Sequence, residues 1–312
     1  MKVVVAGAGA HFTSQHGPAL KHFSARHPGK IELAAVCDMR AERAENACRD
    51  FGFQASFTSV EEMLAEVDPQ AAFAVLPGRG TLETLEQFMK RGIPLVMEKP
   101  LGADIEEAGS IESAAKRWNA QVMVSLNRRF DPGLSAAREW LKDKGPIRYL
   151  VGSMLRVNRT ERDFIWGTGV HLLDAMVALA GPLRLASKKD VHRCGDYGCA
   201  ATLHGDGGLV AMVEILPVCG REEERLRAVT DEACVDVWTG WIQPWSVRGY
   251  AGSKSVLEQN GPPGDELDLR NGTYHETEAF LLAVLEGREL PMPSVSDAMI
   301  ATGLADDLMR AR

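Results

Sequence analysis

KVVVAGAGAHF, residues 2–12, runs from three consecutive valines into two glycines one residue apart. A short apolar run stopped by glycine reads as a buried strand, and a glycine pair at its end reads as a tight turn that opens a helix. The same rhythm continues for about the first 126 residues. Apolar strands are expected at 2–7, 31–38 (IELAAVCD), 54–57, 71–76, 93–98 and 121–126. Between them lie amphipathic helical stretches: one reaching Arg26, one from Ala41, one capped by Ser59 with Glu62 three residues on, then 80–90 and 104–117. Strands separated by helices predict a parallel, doubly wound sheet covered on both faces.

The rhythm changes near residue 126. A helix at 133–142 precedes a long strand at 147–157, and an apolar helix runs from Gly169 to Ala180. Strand-like runs then follow directly on one another at 185–194, 197–204, 208–216, 225–230 and 233–238, which predicts a mainly antiparallel, open sheet. GPPGDELD (261–268) reads as an exposed loop, and helices at 274–286 and 295–310 close the chain. The fold expected is therefore α/β: a doubly wound, Rossmann-type domain over 1–126 and an α+β domain with an open, mainly antiparallel sheet over 127–312.

Composition narrows the function. The chain has 312 residues, 45% of them hydrophobic, which is enough for two cores. Lys plus Arg number 35 against 43 Asp plus Glu, a net charge of −8, so a nucleic-acid partner is not expected. No apolar run is long enough to span a bilayer, and the first residues lack the charge and length of a signal peptide. A cytoplasmic protein is the expectation, with its six cysteines as reduced thiols. HRCGDYGCAATLH (192–204) brings two His and two Cys together, but its Cys-x4-Cys spacing is not a common zinc pair; a β-hairpin is the reading, and no metal is expected.

Gly7-Ala8-Gly9 between a strand and a helix meets the physical requirement for binding a dinucleotide. Glycines let the backbone approach a pyrophosphate, which then lies at the positive end of the helix. Gly7, Gly9, Ala10, His11 and Phe12 are the candidate loop, with Phe12 where a third glycine is usual. Asp38 ends the second strand, where a carboxylate accepts the ribose hydroxyls and repels a 2′-phosphate. NAD is thus favoured, while nearby Arg40 and Arg43 keep NADP open.

The fifth strand ends in Val-Met-Glu98-Lys99-Pro100-Leu-Gly. Together with the glycine loop, Asn127-Arg128-Arg129-Phe130-Asp131-Pro132, Gly169-Val170-His171-Leu-Leu-Asp174 and the late Tyr274-His275-Glu276 stretch, it resembles the glucose–fructose oxidoreductase/inositol dehydrogenase (Gfo/Idh/MocA) family across both domains. The resemblance implies hydride transfer between a nicotinamide and a sugar, polyol or related cyclic hydroxy or keto compound. By motif, Lys99 would contact the reacting hydroxyl and His171 would move its proton, roles that suit an ammonium and an imidazole. Leu76, which ends the fourth strand, Pro77 just after it, and Glu98 would line the cofactor. The C-terminal sheet would join a homodimer or homotetramer.

Two departures bear on mechanism. Many members carry an aspartate four residues before the histidine, where this chain has Gly167; Asp174, three residues after it on the same helix face, is the candidate acid, with Glu161 and Asp163 as alternatives. Pro77-Gly-Arg-Gly-Thr81 replaces a common Pro-Asn-x-x-His. Asn127, Arg128, Trp166 and Thr168 are the substrate candidates. Two other readings stand beside the dehydrogenase: a non-catalytic nucleotide sensor on the same fold, and reduction of an imine or enone.

Overall fold

Four- to six-residue apolar strands bury both faces only inside a layered sheet, and that is where the chain puts them. The computed structural model describes residues 1–191, 198–264 and 266–311. Strands β1 (Lys2–Ala6), β2 (Glu32–Cys37), β3 (Ala55–Phe57), β4 (Ala71–Ala74), β5 (Leu95–Glu98) and β6 (Val122–Ser125) form one sheet in the order β3-β2-β1-β4-β5-β6, with every pair parallel. Helices α1 (Gly17–Arg26), α2 (Ala41–Phe51), α3 (Val60–Glu66), α4 (Leu82–Met89) and α5 (Ile105–Arg117) connect them. The Ser59 cap forms as expected, its hydroxyl accepting from the Glu62 N–H at 3.3 Å. The strand order turns between β1 and β4, so the carboxyl ends of the strands open onto a crevice there.

The chain divides into two units, Met1–Leu126 with Thr273–Met299, and Asn127–Gly272 with Ile300 onward. The change at 126/127 falls where the sequence rhythm changes. The continuous second domain expected over 127–312 is not what forms, because 273–299 returns to the first unit. Helix α9 (Thr273–Glu286) puts Phe280 edge-on to Phe73 of β4, with ring centroids 5.3 Å apart. The Ser125 hydroxyl donates to Glu276 at 2.8 Å, and the Val124 N–H donates to the Pro293 carbonyl at 2.9 Å. These contacts give the edge strand β6 a cover and a partner, which outweigh proximity in sequence.

The second unit holds helix α6 (Pro132–Leu141), strand β7 (Tyr149–Leu155), helix α7 (Val170–Ala180), then β8 (Leu183–Asp190), β9 (Cys199–Gly205), β10 (Val210–Leu216), β11 (Glu223–Val229), β12 (Ala233–Trp238), β13 (Ser246–Ala251), β14 (Lys254–Asn260) and helix α8 (Leu267–Arg270). Helix α10 (Val295–Arg310) closes the chain. The eight strands run in the order β14-β13-β12-β11-β7-β10-β9-β8. All pairs are antiparallel except β7 with β10, which the intervening α7 crossover makes parallel. Gly152 lets α7 approach β7, since a Cβ there would stand 2.4 Å from the Met176 sulfur. The opposite face is open: in β10, Ala211, Val213 and Ile215 are buried while Val210 and Met212 are exposed. The β13–β14 hairpin was not foreseen, because its last strand is mostly exposed and lacks an apolar alternation. Of the His/Cys stretch weighed for zinc, 192–197 lies outside the described residues. Among the described residues, no helix is long and apolar enough to cross a membrane.

Candidate functional site

The glycine loop follows from β1. Gly7 has φ +98°, and a Cβ there would stand 2.1 Å from the Val75 carbonyl oxygen, so only glycine fits. Gly9 is different: an added Cβ would meet only the Arg43 Nη1, at 3.8 Å, so its backbone faces open space. The helix that follows contains a π-helical turn, Phe12–His16, before α1 begins. Phe12, expected at the cofactor, instead turns its fully buried side chain into an aromatic cluster, 5.2 Å from the Phe51 ring and 6.2 Å from that of Phe53. The close approach that a third glycine usually provides is made by Gly17, whose Cβ position lies 2.5 Å from the Phe51 ring.

A cleft of about 820 Å³ opens at the strand ends, within the range of small-molecule and cofactor sites. Gly7, Gly9, Ala10, His11, Asp38, Arg40, Arg43, Leu76, Pro77, Glu98 and Lys99 all line it. Asp38 is fixed by two backbone donors, Ala8 N–H on one oxygen and Arg40 N–H on the other, each at 2.9 Å. The loops after β4 and β5 touch: a Cβ on Gly78 would lie 2.8 Å from Pro100. Glu107, in the first turn of α5, holds both, accepting from Gly80 N–H and Ala103 N–H at 2.8 Å each.

Glu98 is the most constrained group in the cleft. One of its oxygens accepts from His16 at 2.6 Å and lies 3.1 Å from the His11 Nε2; the other accepts from the Lys99 N–H at 3.1 Å. Burial alone would push this carboxyl up, but the two histidines more than offset it and hold it well below the usual carboxylate range. His16 escaped the sequence reading. In a regular α-helix a residue five beyond His11 points elsewhere, and only the π-turn, closed i→i+5, brings the two together.

In the second unit, His171 is buried in the first turn of α7, which follows a second π-helical turn at Ile165–Gly169. Asp174 is also buried, and both its oxygens accept the fork of the Arg129 guanidinium, at 2.8 and 2.7 Å. Glu161 pairs with Arg159 at 2.6 Å, and Asp163 is exposed. Arg128 lies inside a buried network rather than on a substrate-facing surface. It donates to Glu224 at 2.8 Å and to the Asn127 side chain at 2.9 Å, and lies over the Trp241 ring at 4.5 Å. Arg156 completes the network on the other Glu224 oxygen. Burial opposes ionisation of Glu224, and the two guanidiniums reverse this, taking it down to about 2. Asn127 donates to the Asn271 carbonyl at 3.1 Å. Trp166 is buried, and the half-buried Thr168 accepts from Arg159 at 3.4 Å.

Residues 1–126 match the family described as oxidoreductase family, NAD-binding Rossmann fold (Gfo/Idh/MocA). UDP-N-acetylglucosamine 3-dehydrogenase of Acidithiobacillus ferrooxidans is 30% identical over 271 residues, covering 82% of either chain. The chain belongs to the Gfo/Idh/MocA family. Another family member, inositol 2-dehydrogenase of Rhizobium meliloti, is 28% identical over 309 residues, covering 89% of this chain and 88% of its own. Two yeast relatives, from Schizosaccharomyces pombe and Saccharomyces cerevisiae, are matched over 56% of their length. The fold is shared with an oxidoreductase from Agrobacterium radiobacter solved with NAD+, L-tartaric acid and magnesium, at a TM-score of 0.81, 14% identity and coverage of 98% and 94%.

Proposed function

We propose that this Gfo/Idh/MocA protein is an NAD-dependent dehydrogenase or reductase acting on the CH–OH carbon of a sugar, polyol or related cyclic hydroxy or keto compound. The observation that carries the reading is the single cleft uniting the bare Gly9 backbone, Asp38 and Lys99. A dinucleotide fits these residues. Gly9 leaves room for a pyrophosphate, and each Asp38 oxygen spends one lone pair on the backbone and keeps another for a ribose hydroxyl. The Asp38 charge opposes a 2′-phosphate, which favours NAD over NADP despite Arg40 and Arg43 at the same rim.

Bound NAD supplies a hydride acceptor. The chain's own groups handle the proton and the charge. Lys99, partly exposed in the cleft, stabilises negative charge on a substrate oxygen. His171 takes or returns the hydroxyl proton. Asp174, held by Arg129, anchors α7, and no carboxylate stands at 167 to assist. The relatives named for UDP-N-acetylglucosamine and inositol support a cyclic polyol or sugar as the substrate class. Free thiols at Cys37, Cys48, Cys199, Cys219 and Cys234 support a cytoplasmic setting. The open sheet face bearing Val210 and Met212 supports a homo-oligomer.

The test is NAD and NADP titration followed by a panel of cyclic polyols and sugars, monitored at the NADH absorbance. NAD should bind more tightly, and Lys99→Ala should lose turnover while keeping nucleotide affinity within a few fold. Tight binding with no turnover on a broad panel, equal in both proteins, would replace the dehydrogenase reading with nucleotide sensing.

A further inference from the structure

The two histidines on Glu98 need an explanation that nucleotide binding does not give. One carboxylate oxygen lies 2.6 Å from one imidazole nitrogen and 3.1 Å from another, and all three atoms fall within 4.8 Å of one another. In a tetrahedral zinc-type site, with bonds of about 2.0–2.2 Å, donor atoms stand roughly 3.3 Å apart. The two distances from the Glu98 oxygen, 2.6 and 3.1 Å, are within an ångström of that spacing.

Three further features fit a cation. First, the π-turn places residues 11 and 16 on the same side of the helix, which a regular turn would not do. Second, the His16 side chain is 1% exposed and its Nε2 stands 2.6 Å from the Glu98 oxygen, so a buried donor atom is already aimed into the cluster. Third, the His11 side chain is 44% exposed and lines the cleft, which gives an ion a route in and leaves a fourth position open. Two imidazoles and one carboxylate select zinc-class transition cations over magnesium or calcium, which prefer all-oxygen shells.

We propose that His11, His16 and Glu98 form a site for one divalent transition cation at the rim of the cleft. Occupation replaces the net charge of −1 on Glu98 with +1 for the cluster, directly beside the Lys99 backbone. The proposal concerns metal binding and stands whether or not the cleft takes a nucleotide.

Chelator-treated protein titrated with Co2+ at neutral pH tests it by visible absorption. The expected result is tetrahedral-type d–d bands saturating at one equivalent, with no thiolate-to-cobalt charge-transfer band. His11→Ala, a change at a part-exposed residue that should not disturb folding, should weaken binding by at least about tenfold. Zn2+ should raise the melting temperature of the wild type and not of His11→Ala. The absence of bands, a thiolate charge-transfer band, or equal Co2+ affinity in His11→Ala would each overturn the site.

Discussion

Asp174→Asn separates two roles that the sequence alone leaves joined. The position on α7 suggests an acid serving His171, but the structure gives both carboxylate oxygens to Arg129, at 2.8 and 2.7 Å, with side-chain exposures of 0% and 8%. Asparagine keeps one acceptor and turns an amide donor toward a guanidinium donor, leaving the buried Arg129 charge uncompensated. Removing one partner of a buried pair costs about 3–5 kcal/mol. For a domain of about 150–250 residues, each kcal/mol lowers the melting temperature by about 2–4 °C, so even the lower figure predicts a fall of roughly 6–12 °C. Circular dichroism melts give the stability, and initial rates taken well below the transition give the chemistry. The expected result is a large loss of stability with turnover per folded molecule reduced by less than about tenfold. The double variant Arg129→Met/Asp174→Leu should regain most of the stability, because an apolar pair of similar volume commonly replaces a buried ion pair without loss. A melting temperature within about 2 °C of wild type, with turnover abolished, would refute the anchoring role and return Asp174 to the chemistry.

Other outcomes follow from single contacts. Glu224 has its carboxyl lowered to about 2 from 4.5, so the stability it contributes is present above pH 4.5 and is lost as pH falls toward 2. The shift corresponds to about 3 kcal/mol, and denaturant titrations at pH 7 and pH 3 should show a smaller acid loss in Glu224→Gln than in wild type; parallel losses would contradict it. Gly9→Leu should fold normally, since only Arg43 stands near its Cβ at 3.8 Å, yet lose NAD affinity by more than about tenfold in calorimetry; unchanged affinity would place the dinucleotide elsewhere. Gly167→Asp also has free space, with nothing within 4 Å of a Cβ. It should leave the melting temperature nearly unchanged and move the acid limb of the kcat/KM profile upward by about one pH unit if the new carboxylate stabilises a protonated His171. An unmoved limb would mean that a carboxylate at 167 does not act on the titrating base.

The parts of this molecule that sequence reveals are those set by local chemistry. The apolar β1, β2, β4, β5 and β6, the glycine loop, and Asp38 at the end of β2 were legible because strand burial and the φ +98° at Gly7 constrain residue type directly. What was not legible depends on contacts between distant residues. Nothing near Phe280 says that α9 will cover β4, and nothing near Asp174 says that Arg129 will reach it. The His11–Glu98–His16 cluster was hidden for a different reason: an α-helical period puts the two histidines on different sides, and the π-turn that reunites them has no signature in the residue types of FTSQH. The mostly exposed β14 gave no alternation to read.

Glu107 ties the Gly80 and Ala103 amides to one carboxylate. The two loops over the cleft, carrying Pro77–Gly78 and Lys99–Pro100, cannot separate from each other without releasing at least one of those bonds. Opening of the cleft rim then carries the cost of at least one charge-assisted bond. Hydrogen–deuterium exchange should find the two amides, 23 residues apart, both less protected in Glu107→Ala than in wild type. A carboxylate outside the lining of the cleft thus sets how firmly its two rim loops are joined.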